Sequence, residues 1–254
     1  MIPYHDENQT SRTAVLTIGL VAANVLVWLL VQGAGSGYLL ARSICELGLI
    51  PGEITGRAEP GSAFPIGEGL WCATDPGWPW QNVFTSMFMH GSWMHLIGNM
   101  WFLWLFGNNI EDSMGRDRFL LFYLLCGIGA AALQVAVQPD SIIPMVGASG
   151  AISGVMGAYL VLFPRVKVYA WVPLGFIPIS IALPAWSMLI YWMGLQVLGG
   201  IFSPADGGGV AFWAHVGGFL VGVLLVRAFA REEYIIEHRR VHWEPRPGRA
   251  RSGW

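Results

Sequence analysis

Six long apolar runs constrain this chain more than any other feature of its sequence. Each is close to the roughly 20 residues that an α-helix needs to cross the hydrocarbon core of a bilayer. The chain is 54% hydrophobic and 12% charged, whereas about a quarter of the residues in a soluble domain are charged. We therefore predict an all-α polytopic membrane protein with six transmembrane helices, over Ala14–Val31, Asn82–Gly107, Phe119–Val137, Met145–Phe163, Ile181–Ile201 and Val210–Phe229.

The apolar stretch from Val168 to Phe202 is too long for one helix. Pro173, Pro178 and Pro184 interrupt its first half, and proline breaks helices because it lacks an amide hydrogen. We expect an irregular or interfacial segment there, followed by the fifth helix.

The positive charges predict the orientation of these helices. Lysine and arginine concentrate in cytoplasmic loops, and twelve of the fourteen fall inside if the N-terminus is cytoplasmic. Only Arg42 and Arg57 then lie outside. This orientation divides the chain into a cytoplasmic N-terminus (residues 1–13), a membrane domain (14–230) with a long external loop (32–79), and a basic cytoplasmic tail (231–254).

Composition also excludes several classes of partner. A net charge of -2 and a pI near 6.3 argue against nucleic acid, which requires a basic face. The three cysteines form no CxxC pair and have no histidine at metal spacing, so we expect no metal and no cofactor. Cys45 and Cys72 share the external loop, where pairing and two free thiols remain equally open.

Polar side chains at membrane depth are costly and are therefore candidates for function. The candidates are His90, His95 and Asn99 on the second run, Ser149 and Ser153 on the fourth, and His215 on the sixth. In the predicted orientation these runs all enter from the outer side. Ser149 and His215 then lie at similar shallow depth, so they can meet.

These residue types suit acyl transfer. A serine hydroxyl becomes a nucleophile when a neighbouring histidine takes its proton, and donors must face the developing oxyanion. His95 and Asn99, four residues apart on one helical face, can supply side-chain N–H groups beside the backbone N–H of Ser149. No carboxylate lies in any predicted span, so we infer a dyad of Ser149 and His215 rather than a triad.

The candidate residues lie in three segments: HGSWMHLIGN from His90 to Asn99, GASG from Gly147 to Gly150, and AHVGGFLVG from Ala214 to Gly222. Together these segments resemble the rhomboid intramembrane serine proteases. The resemblance covers roughly residues 81–229. It implies a six-helix bacterial form with Ser149 and His215 as catalytic residues, and with His95, Asn99 and the Ser149 backbone N–H binding the oxyanion.

The resemblance further implies structural support from His90, Gly147 and Gly150. It implies single-span membrane proteins as substrates and the bacterial inner or plasma membrane, with its lipid, as the location. One departure concerns the histidine: some members carry a tyrosine one turn after the serine, to stack on the imidazole, where this chain has Ser153.

Two other functions compete with this interpretation. A catalytically inactive relative would bind membrane clients without cutting them, although such proteins usually lose the serine or the histidine, and both are here. A proton-coupled transporter would also use buried histidines, but no inverted repeat and no carboxylate within a predicted span support it.

Overall fold

The computed structural model of the protein describes residues 1–67, 69–74, 77, 79–175, 177–202 and 209–242. The described chain is mostly helical, as predicted. Its longest helices form a bundle around a common hydrophobic core. They are α1 (Val15–Leu30), α5 (Trp93–Met114), α6 (Arg116–Val137), α7 (Ser149–Leu162), α8 (Ala185–Phe202) and α9 (Phe212–Phe229).

By length and composition, α6, α8 and α9 can each cross a membrane. The apolar helices α1 and α7 are shorter. Helix α5 differs from the predicted second span because it begins at Trp93 rather than Asn82 and continues to Met114 rather than Gly107. Its start is fixed by Ser92, whose side chain accepts a hydrogen bond from the His95 amide, which is a preferred N-cap arrangement.

The residues before α5 form shorter elements. A single helical turn, α4 (Asn82–Thr85), is followed by a 3-10 turn over Ser86–Phe88. The segment that we predicted as one long span is therefore two parts, and only the second is long. Because α5 is longer at its other end, it also carries Glu111 and Asp112, which lie beyond the predicted second span.

The proline-rich segment before α8 is regular rather than irregular. It forms an antiparallel hairpin of β4 (Lys167–Leu174) and β5 (Ile177–Pro184), and β1 (Ile2–Asp6) pairs with the other edge of β4. The sheet tolerates Pro178 and Pro184 because they lie on β5, which is an edge strand. Pro173 of β4 lies beyond Trp171, the last β4 residue that pairs with β1. The all-α prediction therefore misses two small sheets, the second being β2 (Ala63–Gly67) with β3 (Leu70–Ala73).

The segment between α1 and α4 has its own structure. Besides the β2–β3 pair it contains α2 (Gly37–Leu47) and α3 (Pro51–Thr55). A disulfide joins Cys45 of α2 to Cys72 of β3, with the two Cα atoms 5.5 Å apart. The pairing that the sequence left open is thus formed, and it ties the β2–β3 sheet to α2.

Helix α7 lies inside the bundle and packs against α5, α6 and α9. Glycines allow its close approach to α9. A Cβ at Gly218 or Gly222 of α9 would collide with the backbone carbonyl of Gly150 or Gly154 of α7. Small residues at this spacing let helix backbones come together in membranes. The two helices that carry the predicted dyad therefore pack backbone against backbone.

Both ends of the described chain meet at the end of the bundle where α5 and α9 finish, which we call the far end. The Asp112 carboxylate accepts hydrogen bonds from the backbone amides of Ser11 and Arg12 at 2.9 and 3.1 Å. It also lies 2.8 Å from Nδ1 of His238, on helix α10 (Glu232–His242). The predicted N-terminus and tail thus contain ordered elements, and residues 243–254 of the tail lie outside the described chain.

A second buried carboxylate lies nearby. Asp6, at the end of β1, accepts a hydrogen bond from the Tyr159 hydroxyl of α7 at 2.5 Å and from the Asn109 side chain at 3.1 Å. Burial raises the pKa of Asp6 to about 6, although the Tyr159 hydrogen bond acts in the opposite direction.

Candidate active site

Ser149 is the first residue of α7 and follows a turn that only glycine fits well. Gly147 has φ of 128°, in the region that side chains disfavour, and its amide donates to the Ser86 carbonyl at 2.9 Å. A Cβ at Gly147 would lie 2.8 Å from Nε2 of His95. The turn therefore brings the backbone before Ser149 directly against the His95 ring.

His215 lies in the first turns of α9, facing Ser149 across the glycine contact. Its Nε2 is 2.7 Å from the Ser149 hydroxyl oxygen, and the histidine is buried. This is within the reach that a general base needs. The structure therefore brings the two predicted dyad residues into direct contact.

His95 and Asn99 lie one turn apart on α5. The Gly91 amide donates to Nδ1 of His95 at 3.3 Å, so the neutral ring carries its hydrogen on Nε2, the atom nearest Gly147. The side-chain nitrogen of Asn99 is buried and has no hydrogen-bond partner among the described residues. Both side chains thus hold a donor that no other described residue uses.

The backbone of His90 is held by one glutamine. Gln32, fully buried two residues after the end of α1, accepts from the His90 amide and donates to the His90 carbonyl, both at 2.8 Å. The His90 ring then packs edge-on against the His95 ring, with centroids 5.1 Å apart. His90 contacts His95 rather than the dyad, and the structural role assigned to it stays a prediction.

These residues surround one cavity of about 470 Å³. Its walls include Ser149 and His215 on one side and His95 and Asn99 on another. Gly150 allows the cavity wall to pack, since a Cβ there would lie 2.5 Å from the Cβ of Ala130. Every residue assigned to the site from the sequence therefore lines this cavity, except His90, which lies behind His95.

Helix α8 supplies two contacts that sequence reasoning missed. The side-chain oxygen of Gln196 lies 2.7 Å from Nδ1 of His215, and the Trp192 ring packs near the imidazole, with centroids 5.8 Å apart. Ser153, which replaces the stacking tyrosine of some rhomboids, instead donates to the Ser149 carbonyl at 2.6 Å. Gln196 is an amide in an apolar helix, so a search for polar side chains at membrane depth would have found it if glutamine had been included.

A second missed glutamine supports the start of α9. The first amides of a helix have no partner within it, and Ala211, the N-cap residue of α9, provides no side-chain hydrogen bond. The side-chain oxygen of Gln134 on α6 accepts from the Ala214 amide at 3.1 Å. Gln134 thereby fixes the backbone directly before His215.

Comparison with known proteins identifies a family that this chain matches. Residues 77–232 match the Rhomboid domain family. The chain is 31% identical over 154 residues to Rhomboid-like protein 11, chloroplastic, of Arabidopsis thaliana, covering 58% of this chain and 51% of that protein. It is 27% identical over 228 residues to RHOMBOID-like protein 6, mitochondrial, of the same plant, covering 85% and 69%.

A bacterial relative is also similar: Rhomboid protease AarA of Providencia stuartii is 28% identical over 163 residues, covering 59% of this chain and 56% of that protein. The matches to this protease and to the chloroplastic relative span only about half the length of each. The family match itself covers more than half of the present chain and contains the three sequence segments and the cavity that they line. The chain therefore belongs to the rhomboid family.

Proposed function

We propose that the protein is an intramembrane serine endopeptidase. The observation that carries this proposal is the 2.7 Å contact between the Ser149 hydroxyl and Nε2 of His215 inside a cavity that also holds the donors of His95 and Asn99. Membership in a family that includes a protein named Rhomboid protease AarA supports it.

The proposed chemistry assigns a role to each residue. His215 takes the proton of Ser149 as the hydroxyl oxygen attacks a peptide carbonyl, and then returns that proton to the leaving amine. The oxyanion is bound by the Nε2–H of His95, the Asn99 amide and the backbone N–H of Ser149. That backbone N–H has no acceptor within α7, because Ser149 is the first helical residue. Water then hydrolyses the acyl-enzyme by the same route.

We infer that the substrates are single-span membrane proteins, cut in or near the outer half of the bilayer. The cavity supports this because it lies at the head of α7, and because many of its lining residues are apolar, including Met94, Phe102 and Trp192. An extended apolar segment would be accommodated by such walls.

The topology belongs to the same proposal. We infer that α1, α5, α6, α7, α8 and α9 each span the membrane, that both termini are cytoplasmic, and that residues 32–79 are external. The domain limits are residues 1–13, 14–230 and 231–254. The proposed location is the cell membrane of a bacterium, which reporter fusions at the two termini and within residues 56–62 would test.

The competing functions are less well supported. An inactive client-binding relative needs no activated serine, yet Ser149 and His215 are both present and hydrogen-bonded. A proton-coupled transporter needs ionisable groups along a path. The carboxylates of α5 are instead occupied at the far end, where Glu111 accepts from the Leu16 amide at the start of α1 and Asp112 from the Arg12 amide.

The test is labelling of the purified protein in detergent with a fluorophosphonate probe, which reacts with activated serines. Wild type should be labelled, and Ser149→Ala and His215→Ala should each abolish labelling. The same three proteins should be compared for cleavage of a single-span reporter in vesicles. Labelling without cleavage would show an activated serine that acts on another substrate class. No labelling of folded wild type would refute the proposal and favour the inactive relative or the transporter.

A further inference from the structure

Helix α8 holds the imidazole of His215 from the side opposite Ser149. Gln196 is buried, and its side-chain oxygen lies 2.7 Å from Nδ1 of His215. Trp192, one turn earlier on the same helix, covers the ring, with 34° between the two ring planes. The two α8 residues therefore restrain both the rotation and the tilt of the imidazole.

We propose that Gln196 is the positioning residue that fixes the tautomer of His215, a role that a carboxylate fills in three-residue serine hydrolases. This inference rests on the proposed function, because it assigns a part in the same proton transfer. The site is then a hydrogen-bonded chain of Gln196, His215 and Ser149.

The chemistry of the amide determines the direction of these hydrogen bonds. An amide oxygen only accepts hydrogen bonds, so Nδ1 of His215 must carry the hydrogen. Nε2 then has the lone pair, and it is this atom that lies 2.7 Å from the Ser149 hydroxyl. In the other tautomer Nε2 could not accept the serine proton.

A neutral partner fits this position better than a charged one. Burying a carboxylate among apolar side chains is far more costly than burying a hydrogen-bonded amide. Among the described residues, no carboxylate contacts His215. The amide dipole still favours the imidazolium that forms during the reaction, since its negative end faces Nδ1.

The inference also accounts for the departure at Ser153. Stacking by a tyrosine from α7 is replaced by Trp192 and Gln196 from α8, while Ser153 binds back to its own helix. In this protein the residues that support His215 therefore lie on α8 rather than on α7, the helix of Ser149.

The first experiment reads the tautomer directly. In wild type with ¹⁵N-labelled histidine, NMR should show the His215 resonance, assigned by its loss in His215→Ala, with the hydrogen on Nδ1. A wild-type spectrum with the hydrogen on Nε2 would overturn the proposal without any Gln196 variant having to fold. This reading does not depend on activity, so failure here and failure of the proposed function are distinguishable.

The second experiment uses matched variants. Gln196→Leu keeps the approximate volume but removes the acceptor, and should lower both kcat and the fluorophosphonate labelling rate by about 10²-fold, the lower range for an acid–base contribution, with KM unchanged. Gln196→Glu keeps an acceptor oxygen and should recover most of kcat, with a lower thermal unfolding midpoint because a carboxylate is costlier to bury than an amide. Ser187→Ala, which removes a different hydrogen bond of α8, serves as the control and should match wild type.

The outcomes separate the two proposals. Wild-type labelling with an equal rate and an unchanged tautomer in Gln196→Leu would refute the role of Gln196 alone. A change in KM with kcat unchanged would also refute that role, because positioning of the base acts on the chemical step. Absence of labelling in wild type would refute the proposed function instead.

Discussion

Gly218→Ala tests whether the helix contact sets the geometry of the dyad. Gly218 lies three residues after His215 on α9 and therefore faces the same side of that helix. Opposite it is the carbonyl of Gly150, the residue after Ser149. A Cβ at position 218 would lie 2.8 Å from the Gly150 carbonyl carbon, with the carbonyl oxygen nearer still.

The magnitude follows from these distances. Non-bonded carbon atoms rest about 3.5–4.0 Å apart, so α9 must retreat by about 1 Å to accept the methyl group. The same movement would lengthen the 2.7 Å contact between His215 and Ser149 beyond ordinary hydrogen-bond range. A misplacement of this size costs about 10²-fold in rate. Overpacking lowers the free energy of unfolding by about 1–3 kcal/mol. The better helix propensity of alanine offsets up to about 1 kcal/mol of this loss.

The assay measures the fluorophosphonate labelling rate and the thermal unfolding midpoint of the same preparation. Gly19→Ala on α1 is the matched control, because a Cβ there meets no atom within 4 Å. It should leave the labelling rate unchanged, and the midpoint should stay the same or rise slightly because alanine favours the helix. Gly218→Ala should lose about 10²-fold in labelling rate while remaining folded at low temperature. Labelling at the wild-type rate with an unchanged midpoint would refute the reasoning.

Two further predictions concern stability outside the cavity. Cys45→Ser with Cys72→Ser removes a disulfide between residues 27 apart in the chain, which stabilises the folded state by up to about 3.5 kcal/mol in the chain-entropy model. The thermal unfolding midpoint of wild type in reductant should fall to that of the double variant. A double variant as stable as oxidised wild type would contradict this. Asp6→Asn keeps an acceptor for Tyr159 but removes a carboxyl whose folded-state pKa is about 6 against an ordinary 3.8. Because the folded state holds that proton more tightly, the free energy of unfolding of wild type should fall by up to about 3 kcal/mol as pH rises from 4 to above 6. Asp6→Asn should therefore unfold at a higher temperature than wild type at pH 8. At pH 4 the two proteins should unfold at nearly the same temperature. A constant difference across this range would show that Asp6 does not titrate as described.

Much of the site could be predicted because polar side chains stand out in apolar runs. Ser149, His215, His95 and Asn99 each interrupt such a run, and the structure brings all four to one cavity. Gln196 was missed because glutamine was not counted among the candidate functional groups. Its contact with His215 depends on how α8 packs against α9, which periodicity within either helix does not specify.

The β-hairpin could not be predicted for a different reason. Strands β4 and β5 are apolar on both faces, so they lack the alternation that identifies a half-exposed strand, and their prolines indicate a broken segment. The other partner of β4 is β1, far earlier in the chain, with Ile2 opposite Trp171, 169 residues apart. Pairing at that separation is decided by the packing of the helices between the strands.

The glycines at the contact of α7 with α9 bring the two dyad residues within reach of each other. Helix axes usually lie about 8–10 Å apart, and a serine side chain is too short to reach far across such a gap. Because the facing positions of α7 and α9 carry no side chains, the two backbones touch and His215 reaches the Ser149 hydroxyl. The contact continues at Gly154 and Gly222, a full turn deeper, so it fixes the angle between the helices as well as their distance. A residue remote from the cavity can therefore control the reactivity of Ser149 through the position of α9 alone.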